Sequence, residues 1–125
     1  MDKKKVLVVD DNANFSQLLQ CALEEDFEVT TAADGLEGVK AAGALLPDLI
    51  LMDVMMPNMS GIEMARMLQA EEETRNIPLI VLTGSHLDKG VPDLFKQEPN
   101  VRLFLSKTTP VLEILEAAKR TIYGR

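Results

Sequence analysis

Five short apolar runs, "KVLVV" (5–9), "FEVTTA" (27–32), "DLILM" (48–52), "PLIVLT" (78–83) and "VRLFLS" (101–106), alternate with amphipathic stretches along the chain. This alternation narrows the possible folds more than any other feature. Parallel strands need long crossovers, usually helical, so repeated strand–helix units predict an α/β fold with a parallel sheet covered on both faces. The crossovers carry helix signals of their own. Ala13–Glu25 places Phe15, Leu18, Leu19 and Ala22 on one stripe, and Asp34 with Glu37 forms a capping box. Ser60 with Glu63 forms a second box, opening a helix to about Glu72. Thr109 and Pro110 cap and start the last helix, which runs to about Ile122.

The strands also declare their places. The first, third and fourth are continuously apolar, as expected of interior strands covered twice. The second sets Phe27 and Val29 against Glu28 and Thr30. The fifth sets Val101, Leu103 and Leu105 against Arg102 and Ser106, with Phe104 on its less apolar side. These two are therefore the edges. With right-handed crossovers the order is 2-1-3-4-5, a flavodoxin-like doubly wound (βα)5 sheet whose ligand site lies where strands 1 and 3 diverge. The stretch "HLDKGVPDLFKQEPN" (86–100) contains Gly90, Pro92 and Pro99 and predicts a short or broken fourth helix, restarting near Pro92, with above-average mobility.

The 125 residues suffice for one compact domain over 1–125, with its core at about 5–122. Apolar residues make up 46% and charged residues 26%, an ordinary soluble composition. No apolar run approaches the ~20 residues of a membrane span, and no signal-peptide pattern opens the chain. The single cysteine, Cys21, excludes an internal disulfide and fits a cytoplasmic setting; beside the apolar stripe of the first helix it reads as a small buried hydrophobe. The net charge of −7 argues against direct nucleic-acid binding, and Lys3–Lys5 reads as a solvated arm.

Three carboxylates stand out. Asp10 and Asp11 end the first strand and Asp53 ends the third, so neighbouring parallel strands bring all three to one edge. Two such charges about 4 Å apart repel by roughly 4 kcal/mol at an effective dielectric near 20. Such a cluster calls for raised pKa values or a bound cation, and hard oxygen donors suit Mg²⁺. Thr83 ends the fourth strand and Ser106–Lys107 the fifth, adding a hydroxyl and an ammonium suited to an anion. His86 reads as a surface helix start. Met55, Met56 and Met59 read as filling in the loop after Asp53.

The set D-D, D-x-M-M-P, T-G and S-K at successive strand ends resembles the receiver domain of two-component response regulators over residues 5–122. The resemblance implies that Asp53 is the phosphoacceptor, taking a phosphoryl group from a sensor histidine kinase, a phosphotransfer protein or a small phosphodonor. It implies that Asp11, Asp53 and the Met55 carbonyl ligate Mg²⁺, with Asp10 in support through water. Lys107 would pair with a phosphoryl oxygen, Thr83 would hydrogen-bond the phosphoryl group, and Phe104 would be the switch aromatic. Helix 4, strand 5 and helix 5 would form the surface read by an output partner. Catalysis would be confined to the domain's own phosphorylation and dephosphorylation, in a cytoplasmic monomer or weak dimer.

Two departures accompany the match. Thr108 follows Lys107 where the family usually has proline, and "KQEPN" replaces the family's usual turn before the fifth strand. Met55 occupies the place where a haloacid dehalogenase-like phosphatase would need a second aspartate, and "DDNAN" is too acidic for a flavodoxin-like phosphate loop. The remaining rival is a receiver fold that signals without phosphorylation, stand-alone or part of a longer chain.

Overall fold

A computed structural model describes residues 3–84, 95 and 97–124. The strands are β1 (Lys4–Val9), β2 (Phe27–Ala32), β3 (Leu49–Asp53), β4 (Leu79–Thr83) and β5 (Val101–Ser106). Among the described residues the helices are α1 (Ala13–Leu23), α2 (Gly35–Leu45), α3 (Gly61–Ala70) and α4 (Val111–Tyr123). All strand pairs are parallel and the order is β2-β1-β3-β4-β5, as the apolar patterning predicts. The fourth-helix expectation and His86 fall outside the described residues.

The strand period of two sorts the interior strands into two cores. Leu7, Val9, Ile50, Met52, Leu79 and Val81 point to one face and pack with Ala42 of α2 and Met64, Ala65 and Leu68 of α3. The alternate residues Val6, Val8, Leu49, Leu51, Ile80 and Leu82 pack with Leu19 and Leu23 of α1 and Ile114, Ala117 and Ala118 of α4. Each large aliphatic side chain so buried stabilises the fold by roughly 2 kcal/mol before entropy is counted. Gly38 lets α2 lie close on β1, because a Cβ there would come within 2.9 Å of Val9 Cγ2.

Helix entry is governed by side-chain caps. Asn12 accepts from Phe15 N at 3.1 Å, Asp34 from Glu37 N at 2.9 Å, and Ser60 from Glu63 N at 3.3 Å. The two expected boxes therefore start their helices, while Thr109 does not cap the last. Pro110 occupies the cap position there without a side-chain bond.

Expectations for α1 and the N-terminal lysines need correction. The buried stripe of α1 runs through Ser16, Leu19 and Leu23, and leaves Leu18 half exposed. Cys21 is exposed rather than buried, because it lies off that rotated stripe. Lys4 and Lys5 belong to β1 rather than to a free arm, and Lys5 N donates to Asp48 Oδ2 at 2.8 Å.

β5 differs most from its simple alternation. The pairing slips between Leu79 and Ile80, which face Val101 and Leu103 respectively, so Arg102 is a bulge residue without a ladder partner. The slip turns Val101 and Phe104 onto the α2/α3 side, where Phe104 packs partly buried. Its ring meets Phe95 edge-on, with centroids 5.6 Å apart. Phe104 is thus on an apolar side, and a bulge that alternation cannot encode is the reason.

Ahead of β5, Glu98 and Asn100 are buried polar residues tied to α3. Glu98 accepts from Arg66 Nε at 2.8 Å and Gln69 Nε2 at 2.9 Å. Asn100 accepts from Gln69 Nε2 at 2.7 Å and donates to Ala65 O at 3.3 Å. Of the stretch expected to be mobile, the described end is therefore anchored.

Candidate functional site

The carboxyl ends of β1, β3, β4 and β5 meet at one edge and deliver Asp10, Asp53, Thr83 and Lys107. Asp10 follows β1 and is held on several sides: its N donates to Ala32 O at 3.0 Å, and Oδ1 accepts from Asn12 N at 2.9 Å. Ser16 Oγ donates weakly to its carbonyl at 3.4 Å. Asp53 is the last residue of β3 and is 6% exposed, its Oδ1 accepting a long 3.4 Å bond from Met55 N. Asp11 is exposed. One oxygen from each of the three acids lies within 4.8 Å of the others, a spacing that a single cation can bridge.

Lys107 completes the cluster. Its backbone N donates to Thr83 O at 2.7 Å, which ties the turn after β5 to the end of β4. Its ammonium is 2.7 Å from Asp10 Oδ2 and 3.3 Å from Asp53 Oδ2. The approach to Asp10 lacks hydrogen-bond geometry, so Oδ2, fully buried, is compensated by charge alone. A buried carboxylate oxygen with no directional partner, beside two further carboxylates, is the donor set that a hard divalent ion fits.

The electrostatics follow from this crowding. Burial, then the charge of Asp10, pushes the Asp53 carboxyl above its ordinary value, against the opposing pull of Lys107. Burial works to lower the Lys107 ammonium, but its contacts with Asp10 and Asp53 outweigh it and hold the group above its ordinary value. Contacts with Asp10 and Asp53 thus sustain the charge of Lys107.

Thr83 is 6% exposed and faces Ser106 in the β4–β5 register. Met55 is 77% exposed, so only its backbone is within the site's frame, while Met56 and Met59 pack against the α2/α3 core as filling. Phe104 is half-buried two register steps before Ser106. Thr108 follows Lys107 through a trans peptide bond and is fastened to Ser106, its N donating to Ser106 Oγ at 3.1 Å.

Two features escaped the sequence reading. Asp34 caps α2 with Oδ1 and accepts from Asn58 Nδ2 at 2.8 Å with Oδ2, which clasps the loop after Asp53. The bond from Glu37 N, then that from Asn58, holds the Asp34 carboxyl below its ordinary value. Asn58 adopts φ 68°, a left-handed conformation asparagine tolerates, so the Pro57–Asn58 turn was the available signal. The other is Phe15, whose ring centroid lies 4.9 Å from the Lys107 ammonium. No spacing rule links residues so distant in sequence.

Gly61 allows the loop to return close to Asp53. A Cβ at Gly61 would sit 2.8 Å from Asp53 O and 3.1 Å from Val54 Cα. The first turn of α3 thus packs directly behind the strand end that carries the acid.

Comparison with known proteins agrees with this architecture. Residues 6–119 match the response regulator receiver domain family. The chain is 38% identical over 134 aligned positions to the response regulator PleD of Caulobacter vibrioides, covering 97% of this chain and 30% of PleD. It is similar in structure to the chemotaxis response regulator CheY4 of Vibrio cholerae, with TM-score 0.87 and 28% identity over 95% of this chain and 98% of that one. It is likewise similar to the receiver domain of the sensor histidine kinase PA1611 of Pseudomonas aeruginosa, with TM-score 0.86 and 29% identity over 97% and 98% of the two chains. That structure has a magnesium ion coordinated in its active site cleft. The chain spans 30% of the length of PleD and 5% of hybrid signal transduction histidine kinase D of Dictyostelium discoideum, another curated relative. With its parallel sheet, its acidic strand ends and the family match across nearly its whole length, the chain belongs to the response regulator receiver domain family.

Proposed function

We propose that this chain is a phosphoacceptor module in which Asp53 takes a phosphoryl group from a phosphohistidine of a sensor kinase or phosphotransfer protein. The observation that carries this reading is the convergence of Asp10, Asp11 and Asp53 within 4.8 Å, with the Lys107 ammonium against two of them. An Asp53 carboxylate oxygen attacks phosphorus and forms a new O–P bond. The P–N bond breaks, and its electron pair leaves with the imidazole, which takes a proton from solvent. Lys107 turns from the acids to an oxygen of the transferring group and neutralises charge there. The Thr83 hydroxyl, at the neighbouring strand end, donates to another of its oxygens. Asp10, Asp11, Asp53 and the Met55 carbonyl would hold a Mg²⁺ ion, which when bound supplies positive charge that offsets repulsion between carboxylate and phosphodonor. No separate substrate is turned over.

The consequence is a population shift, because phosphorylation favours the arrangement with Thr83 drawn toward the phosphoryl group. Phe104 shares β5 with the turn that carries Lys107, so movement there reaches the β5–α4 face. That face has a groove of about 500 Å³ lined by residues including Leu103, Leu105, Glu113 and Arg120, and Leu112 of α4 is 72% exposed. An output protein or domain would dock on it. The chain would work in the cytoplasm, as a monomer or weak dimer without direct nucleic-acid contact. Among the described residues no helix is long and apolar enough to cross a membrane.

The test is intact-mass measurement after incubation with acetyl phosphate and Mg²⁺. The expected result is one added phosphoryl group, absent from Asp53→Asn and absent without Mg²⁺. An unmodified mass after rapid quenching, with no beryllofluoride binding, overturns the reading and leaves a phosphorylation-independent docking module.

A further inference from the structure

Lys107 is gripped by two acids, and its third contact carries no charge. The ammonium lies 4.9 Å from the centroid of the Phe15 ring, which comes from the first turn of α1. We propose that Phe15 is a positioning residue for Lys107, a perch that keeps the ammonium at the site when a divalent cation takes over the acids. The inference rests on the phosphoacceptor reading.

Lys107 spans Asp10 and Asp53, two of the three acids that a metal ion would use. A divalent ion among those oxygens would repel the ammonium and compete for its partners. A lysine side chain has a flexible four-carbon stem, so the released ammonium would go to water. The face of an aromatic ring attracts a cation through its quadrupole and offers no lone pair to a metal. Phe15 therefore holds Lys107 by an interaction that metal binding does not displace.

The surroundings fit this role. Phe15 N is fixed by the Asn12 cap at 3.1 Å, and the ring packs against the α1/α4 core, so its position is set independently of Lys107. The turn after Lys107 is fastened by bonds from Thr108 N to Ser106 Oγ and from Thr109 N to Ser106 O. These bonds hold the backbone, as does Lys107 N on Thr83 O, and none holds the side chain. The family's usual proline is replaced by Thr108, so this chain fixes its lysine by other means. Plain packing is the alternative, and a leucine would serve that equally well.

Phe15→Leu, Phe15→Tyr and Phe15→Trp separate the two. The chain has no tryptophan, so Phe15→Trp also supplies a single indole beside the site. With acetyl phosphate at saturating Mg²⁺, Phe15→Leu should be phosphorylated roughly three- to tenfold more slowly, with the Tyr and Trp variants within about twofold of the parent. The Lys107 CεH₂ protons should resonate upfield in the parent, Tyr and Trp proteins through the ring current, with and without Mg²⁺. In Phe15→Leu they should return to the ordinary lysine position. A Leu variant as fast as the parent, equal losses in all three variants, or a Lys107 resonance indifferent to the ring would overturn the proposal. If the parent itself accepts no phosphoryl group, the phosphoacceptor reading falls. The NMR shift then decides the perch alone: an upfield resonance that survives added Mg²⁺ supports it, and one that collapses on Mg²⁺ overturns it.

Discussion

Lys107 and Asp10 meet at 2.7 Å, an ammonium against a buried carboxylate oxygen that has no hydrogen-bond donor directed at it. Removing the ammonium leaves Asp10 and Asp53 facing each other without compensation. Loss of one partner from a buried pair costs 3–5 kcal/mol in general. Partial solvent access at Lys107 reduces this, and Lys107→Met should lose about 2 kcal/mol without metal. Urea unfolding measures the loss, and saturating Mg²⁺ should restore most of it. An unchanged midpoint would show that the lysine contributes nothing to the resting site.

Asp53 supplies a pH signature. Its carboxyl is raised above the ordinary 3.8, so the folded chain holds that proton to higher pH than the unfolded chain does. Its favourable contribution is present below 3.8 and is lost as pH rises through the raised value. At neutral pH the ionised group opposes folding, and Asp53→Asn should therefore raise the melting temperature in metal-free buffer. About 1 kcal/mol corresponds to roughly 4 °C for a domain of this size. The gain should shrink as pH falls toward 4. A variant less stable than the parent at neutral pH would contradict the crowded-carboxylate account.

Gly61 tests how the acid is backed. Any Cβ there meets backbone atoms, Asp53 O at 2.8 Å and Val54 Cα at 3.1 Å, which cannot swing aside as a side chain can. Gly61→Ala should cost roughly 1–3 kcal/mol, the range for overpacking, despite alanine's better helix propensity. Because the displaced atoms belong to Asp53 and its neighbour, phosphorylation by acetyl phosphate should slow as well. Thermal unfolding and the mass assay measure the two effects on one sample.

Asn100 joins α3 to the start of β5 with its side chain almost wholly buried. Asn100→Ala removes two hydrogen bonds, those to Gln69 Nε2 and to the Ala65 carbonyl. The expected loss is about 2 kcal/mol by urea unfolding, since each intramolecular hydrogen bond contributes roughly 0.5–1.5 kcal/mol net. The exposed Asn76→Ala serves as control and should stay within about 0.5 kcal/mol.

Strand number, order and helix placement were legible because they depend on period and burial, which residue type reports directly. Leu49–Met52 could only be an interior strand, and Phe27–Ala32 could be an edge. The site's acids were legible for the same reason. Once β1 and β3 are parallel neighbours, Asp10, Asp11 and Asp53 must share an edge. The slip that turns Phe104 toward Phe95 was not legible, since a bulge at Arg102 follows from fitting β5 to β4 rather than from local pattern. The orientation of α1 was not legible either. Leu18 and Leu19 are equally apolar, and packing against β1 and α4 selects Leu19. Periodicity is local, so residue type alone was enough to set the sheet and the strand ends at which the acids gather. The Asp34–Asn58 clasp, the Glu98–Asn100 anchor and the Phe15–Lys107 contact came from the packing of whole elements, because each joins side chains whose distance no local pattern sets.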